Sequence, residues 1–335
     1  MSFQLVSKYR TELMGYAMVG VLIGHILSFG EIPSTGGIGV IKWLSYLIHT
    51  MGFLFLSGFG LYYSLSKDND AKDFYKRRFY RFLLPFLIIA IPYFLVVTVS
   101  NKGNVWNYLG YISTVTFWIK GNYHGMWYVA VSLVLYIITP PLYHWYTKNY
   151  RSLWVKVFVT LVVFFAICNM ITLYNFEYWE KVEIGLSQVP CYFIGILFAY
   201  LSIAHKRNLY FFVTIVILGV SYVVNLVFDI IPQAYLVPLI SVPFFILCFS
   251  SLFSLIDLCD KLRWINNLYK WFGKYSFELY LLHIFIWFIV KEVLGFNPVW
   301  NIVLAVVCAI ALAVPVHRII TTICSWIQNR LSYQN

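Results

Sequence analysis

Apolar runs of about 18 residues or more recur along the whole chain, each long enough to cross a bilayer as a helix. Ten can be read, at roughly 13–30, 41–64, 82–100, 126–147, 153–175, 184–204, 209–228, 233–256, 277–294 and 299–318. In lipid every backbone N–H and C=O must find a partner within the protein. Runs that are continuous rather than alternating therefore argue against a closed β-barrel and leave helices. Composition agrees, because 335 residues that are 61% hydrophobic, 20% aromatic and 11% charged are unlike a soluble domain. The expected fold class is all-α, a polytopic membrane helix bundle of about ten transmembrane helices. Prolines within 184–204 and 233–256 are expected to kink those spans. The longest polar connections, about 65–81, 101–125 and 257–276, are each too short for a soluble core, so residues 1–335 read as a single transmembrane domain.

A formal charge of +11 would suit nucleic acid, but its distribution points elsewhere. With ten spans, both termini and the even-numbered connections share one side, and 19 of the 24 Lys and Arg residues fall there. Only Lys42, Lys102, Lys120, Lys181 and Lys291 fall on the other. That bias is the positive-inside signature, so both termini are expected in the cytoplasm and no nucleic-acid partner is expected. The first span follows Lys8 and Arg10 as a signal-peptide core would. However, His25 interrupts its apolar run and no small-residue cleavage site follows, so the span is expected to be retained. The six cysteines are scattered without a C-x-x-C, which argues against a disulfide framework and a zinc site; no metal is expected.

Ionisable groups are costly inside a bilayer, so each one in a span is a functional candidate. His25, in "MVGVLIGHILSFG", lies about 20 Å deeper than Glu12 at the helical rise. Two readings stand: a neutral imidazole bonded to a neighbouring carbonyl, or a proton-transfer base or nucleophile. In the second span Gly52, Ser57, Gly58 and Gly60 form a small-residue patch, which suits close helix packing. The stretch "FYKRRFYRFLLPF" sets Lys76, Arg77, Arg78 and Arg81 against the start of the third span. Arg78 and Arg81 stand three apart and would share a helix face, where paired guanidinium forks suit phosphate; stop-transfer anchoring is the alternative. The aromatic segment around His124 and Trp127 is either an interfacial belt or a set of flat faces for a sugar ring. In "KYSFELYLLH", Glu278 suits a helix N-terminus, Tyr280 and His283 share a face, and Glu278 and His283 turn away from each other.

Taken together and in order, "GVLIGH" (His25), "HTMGFLFLSGFGL" (Ser57), "RFYRFLLP" (Arg78, Arg81), "HGMWYV" (His124, Trp127) and "KYSFELYLLH" (Glu278, Tyr280, His283) resemble the acyltransferase-3 family of bacterial integral membrane O-acyltransferases. The resemblance covers nearly the whole chain. It implies transfer of an acyl group, most often acetyl, from cytoplasmic acyl-CoA to a hydroxyl of an extracytoplasmic or lipid-linked glycan, in the bacterial cytoplasmic (inner) membrane. Acyl-CoA is then a co-substrate and no cofactor stays bound. The implied roles are His25 as the catalytic base or nucleophile and Arg78 and Arg81 as the holders of the CoA phosphates. Glu12, Ser57, His124, Trp127, Glu278, Tyr280 and His283 become supporting or acceptor-site candidates, and Lys76 and Arg77 remain anchors. One departure stands out. The family carries an arginine about eleven positions before the histidine, where this chain has Met14 and Gly15. Arg10, on the far side of Glu12, is the nearby cation. A transporter or flippase of a glycan or lipid-linked sugar is the competing reading, since ten spans with polar midplane residues suit a carrier as well. A non-catalytic membrane scaffold is the third, and buried His25 and Glu278 would be wasted in it.

Overall fold

The structure, a computed structural model, describes residues 2–121, 125–148, 153–204, 208–228 and 236–332, and among these every regular element is a helix. A short α1 (Gln4–Lys8) leads to α2 (Arg10–Phe29), α3 (Gly36–Tyr46) and α4 (His49–Lys67). Next, α5 (Ala71–Arg78) passes through a π-turn at Phe79–Leu83 into α6 (Leu84–Ser100). The small α7 (Val105–Ile112) and α8 (Val115–Lys120) precede α9 (Trp127–Thr147), α10 (Leu153–Tyr174), α11 (Phe176–Leu186) and α12 (Val189–Ile203). The chain closes with α13 (Asn208–Phe228), α14 (Leu236–Ile256), α15 (Arg263–Lys274), α16 (Ser276–Leu294) and α17 (Pro298–Ser332). Nine segments among the described residues are long and apolar enough to cross a membrane. The pair α15–α16, bent by 66° at Tyr275, supplies a tenth.

The expected spans differ from the observed helices in informative ways. The 41–64 run is two helices broken at Leu47–Ile48, which makes His49 the first residue of α4. Pro190 does not bend a helix interior; it lies in the first turn of α12 after a break at Ser187–Gln188, where its missing N–H has no partner to lose. The polar connection expected near 65–81 is largely helix, because Asp70 accepts hydrogen bonds from the backbone N–H groups of Lys72 and Asp73 and so caps α5.

Close backbone approach builds the centre. A Cβ on Gly58 would stand 2.0 Å from the Tyr192 carbonyl oxygen, and one on Gly195 would stand 2.0 Å from that of Phe55, so α4 and α12 touch through reciprocal glycines. The same device joins α2 to α15, where Gly15 faces the Tyr269 carbonyl and Gly273 that of Thr11, each at 1.8 Å from the added Cβ. The 176–203 segment buries 78% of its apolar window against the protein, whereas α10 and α13 bury 11% each, so those two helices form the outer wall.

Candidate active site

Three arginines converge at one end of the bundle. Arg10 opens α2, Arg78 ends α5 and Arg81 sits in the π-turn, and all three line one cavity with Ser57, Tyr128, Tyr136, Ser276 and Tyr280. Among the described residues, none that lines it is acidic. Arg10 Nε donates to the Leu56 carbonyl at 3.3 Å, and its guanidinium lies flat against Gly60, where a Cβ would stand 2.5 Å from Nη2. Arg78 caps the face of Phe74 at 5.5 Å, and its Nε is buried with no hydrogen-bond acceptor. Guanidinium groups withdrawn from water without carboxylates are costly, and a ligand phosphate is the partner their forks fit.

The π-turn, whose i→i+5 closure is wider than an α-turn, carries the chain from Arg78 to Arg81, and both side chains line the one cavity. Arg78 points inward, whereas Arg81 also borders a second groove at the surface. Arg10 brings a cation to the cavity from the turn before Met14. Residues four apart share a helix face, and Arg10 and Met14 line the same cavity, so the cation arrives from one turn earlier.

The cavity ends on aromatic rings. Tyr128 lies 5.9 Å from Phe53 and 5.4 Å from Tyr280, and the Tyr280 hydroxyl donates to the Gly125 carbonyl at 2.7 Å. Beyond Tyr280, at 6.1 Å between ring centroids, stands His283, which is fully buried. His283 Nε2 is 2.8 Å from His25 Nδ1, and His283 Nδ1 is 2.7 Å from the Leu279 carbonyl. A carbonyl only accepts, so His283 Nδ1 carries a proton. In the neutral ring its Nε2 is then bare and accepts from His25 Nδ1–H. The chain of bonds leaves the His25 Nε2 lone pair free. His25 stacks on Phe29 at 4.7 Å and Phe29 on Trp287 at 4.4 Å, which holds the imidazole in place. His25 itself does not line the arginine cavity; Phe53, Tyr128 and Tyr280 do, and the Tyr280 ring leads on to His283.

The other candidates separate. Ser57 joins the cavity, its hydroxyl 3.4 Å from that of Tyr128. Trp127 is buried beside Tyr128 and is no surface platform for a sugar, and His124 lies outside the described residues. Glu12 is buried in the field of Lys270 and Lys8 and does not line the cavity. Glu278 turns from His283, as the spacing predicts, and accepts from His317 Nδ1 at 2.7 Å instead of serving only the helix dipole. His317 went unnoticed in the sequence, because beside Arg318 it reads as the exit from the last span. Tyr136, which shares the cavity with the arginines, gave no sequence signal beyond one more aromatic in an aromatic-rich chain.

A family model described as an acyltransferase domain matches residues 15–318. The chain belongs to the acyltransferase-3 family. It is an acyltransferase built as a polytopic membrane protein, which sets the transporter reading aside. No curated protein and no solved structure matches the chain. Within this acyltransferase, Arg10 lies before the matched region and the last turns of α17 lie after it.

Proposed function

We propose that the acyltransferase moves an acyl group, in the first instance acetyl, from cytoplasmic acyl-CoA to a hydroxyl of an extracytoplasmic or lipid-linked glycan. The observation that carries this reading is the cavity of three arginines, lined by no carboxylate among the described residues, whose Arg10 shares α2 with His25. It suits a phosphate-bearing donor, and the positive-inside rule assigns its end of the bundle to the cytoplasm of a bacterial inner membrane. His25 follows Arg10 by fifteen residues, about 22 Å of helix, so the thioester is delivered towards the far leaflet where the glycan waits. There the bare His25 Nε2 takes the acceptor hydroxyl proton, and the oxygen attacks the thioester carbonyl. The C–S bond then breaks, and the leaving thiolate recovers the proton from His25. His283 steadies the imidazolium formed in between. For the thioester to pass, the Phe53–Tyr128–Tyr280 layer must part.

The test is purified enzyme in liposomes with labelled acetyl-CoA and candidate glycans, soluble and lipid-linked. Acetylated glycan is expected, and His25→Ala should reduce transfer by about 10²–10⁴-fold, the usual worth of a positioned base. Correctly folded His25→Ala with full transfer would move the chemistry elsewhere. A labelled acyl-enzyme trapped in the absence of glycan would make His25 a nucleophile instead of a base.

A further inference from the structure

Arg81 faces two spaces, and only the inner one is needed for a diphosphate. The outer one is a groove between the α5–π-turn segment and the last turns of α17. Its first wall carries Lys76, Arg77, Arg81 and Tyr80; the second carries Thr321, Ser325 and Gln328, spaced four, then three apart on one helix face. Arg77 is already braced by an ion pair with Asp68, yet its Nε and Nη2 are buried with no hydrogen-bond acceptor. Asp73 also borders the groove, and the three cations outnumber it. On the opposite wall the Thr321 hydroxyl donates to the carbonyls of His317 and Arg318, at 2.9 and 3.0 Å, and that of Ser325 to the Thr322 carbonyl at 2.9 Å, so each hydroxyl's proton is spent and its oxygen is left to accept. One wall thus offers donors and positive charge, the other acceptors, with an aromatic ring at the edge.

We infer that this groove is a nucleotide subsite, taking the 3′-phosphorylated adenosine end of the donor. Lys76, Arg77 and Arg81 bind the 3′-phosphate, Tyr80 takes the base, and Thr321, Ser325 and Gln328 accept from the adenine amine and ribose. The assignment rests on the acyl-CoA reading and follows from direction. If the thioester points inward to His25, the nucleotide end must lie outward, and the outward continuation past Arg81 is this groove. Lys76 and Arg77 then do more than anchor the third span. The second wall lies beyond residue 318, outside the family match, so this part of the subsite is a feature of this chain.

Binding to the full-length enzyme in nanodiscs tests it, with adenosine 3′,5′-bisphosphate and adenosine 5′-monophosphate as probes and acetyl-CoA as reference. The bisphosphate is expected to bind about ten- to a hundredfold more tightly than the monophosphate, the worth of hydrogen bonds to a charged group. Lys76→Ala, at an exposed position, and Ser325→Trp, which fills the groove, should erase that preference, whereas Lys76→Arg should keep it. Equal binding of the two probes by the wild type, or a preference that survives Lys76→Ala and Ser325→Trp, overturns the subsite while acetyl-CoA binding keeps the donor reading intact. Failure of the wild type to bind acetyl-CoA overturns both.

Discussion

The bond between His25 and His283 has a direction, and the direction matters more than the distance. With Nδ1–H of His283 committed to the Leu279 carbonyl, His25 is held in the tautomer that leaves Nε2 bare. Removing His283 frees the other tautomer, so His283→Ala should lower kcat with little change in KM for acetyl-CoA. His283→Gln, whose side-chain oxygen can still accept from His25, should recover part of the loss. Equal kcat in wild type and His283→Ala would leave the pair structural. Arg10 belongs to the same scale. The resemblance implies an arginine where this chain has Met14, and a motif counts residues while a cavity counts helix faces. Arg10→Ala should raise KM for acetyl-CoA by about tenfold or more, the worth of a charged hydrogen bond. Adding Met14→Arg to that variant moves the cation one turn along the same face and should restore binding. A double variant no better than the single would show that Arg10 acts only from its own turn.

Helix contacts were legible as a tendency and not as partners. The small-residue patch in the second span marks close packing, but the sequence cannot say that Gly58 meets Tyr192 while Gly60 makes room for Arg10 and Ser57 faces a cavity. Those outcomes depend on helices far apart in the chain, whose pairing no local pattern encodes. Gly195→Ala should cost about 1–3 kcal/mol or more through overpacking, read as a lower thermal midpoint in detergent. Gly37→Ala, with nothing within 4 Å, is the matched control and should be neutral. The junction of α1, α14 and α15 is expected to respond to pH. Tyr9 hydroxyl and Asn266 Nδ2 each donate to Asp257 at 2.6 Å, and the Tyr9 bond, followed by weaker help from Asn266 and Lys8, holds that carboxyl below its usual range. The depressed group stabilises fully above its unfolded value, about pH 4, and loses that contribution as pH falls through the lower folded one. Thermal midpoints of wild type and Asp257→Asn should therefore differ at neutral pH and converge on acidification.

At the scale of the molecule, the sum of charges along the chain was the most readable feature, since each loop adds independently to the bias. The cavity was the least readable, because α2, α4, the α5–π-turn segment, α9 and α16 each give it a wall. The two meet in the question of which way the bundle sits. The arginine cavity and the exposed Cys259, in the connection between α14 and α15, belong to the basic side, whereas the exposed Ser34 precedes α3 at the far end of α2. Acyl-CoA is a cytoplasmic donor only if the basic side faces inward. An enzyme with Cys259 as its sole cysteine should therefore resist a membrane-impermeant maleimide in intact cells and react in inverted vesicles. A cysteine-free background carrying Ser34→Cys should do the reverse. The opposite pattern for both would place the three arginines outside, where no CoA reaches them, and the donor would have to be another anion.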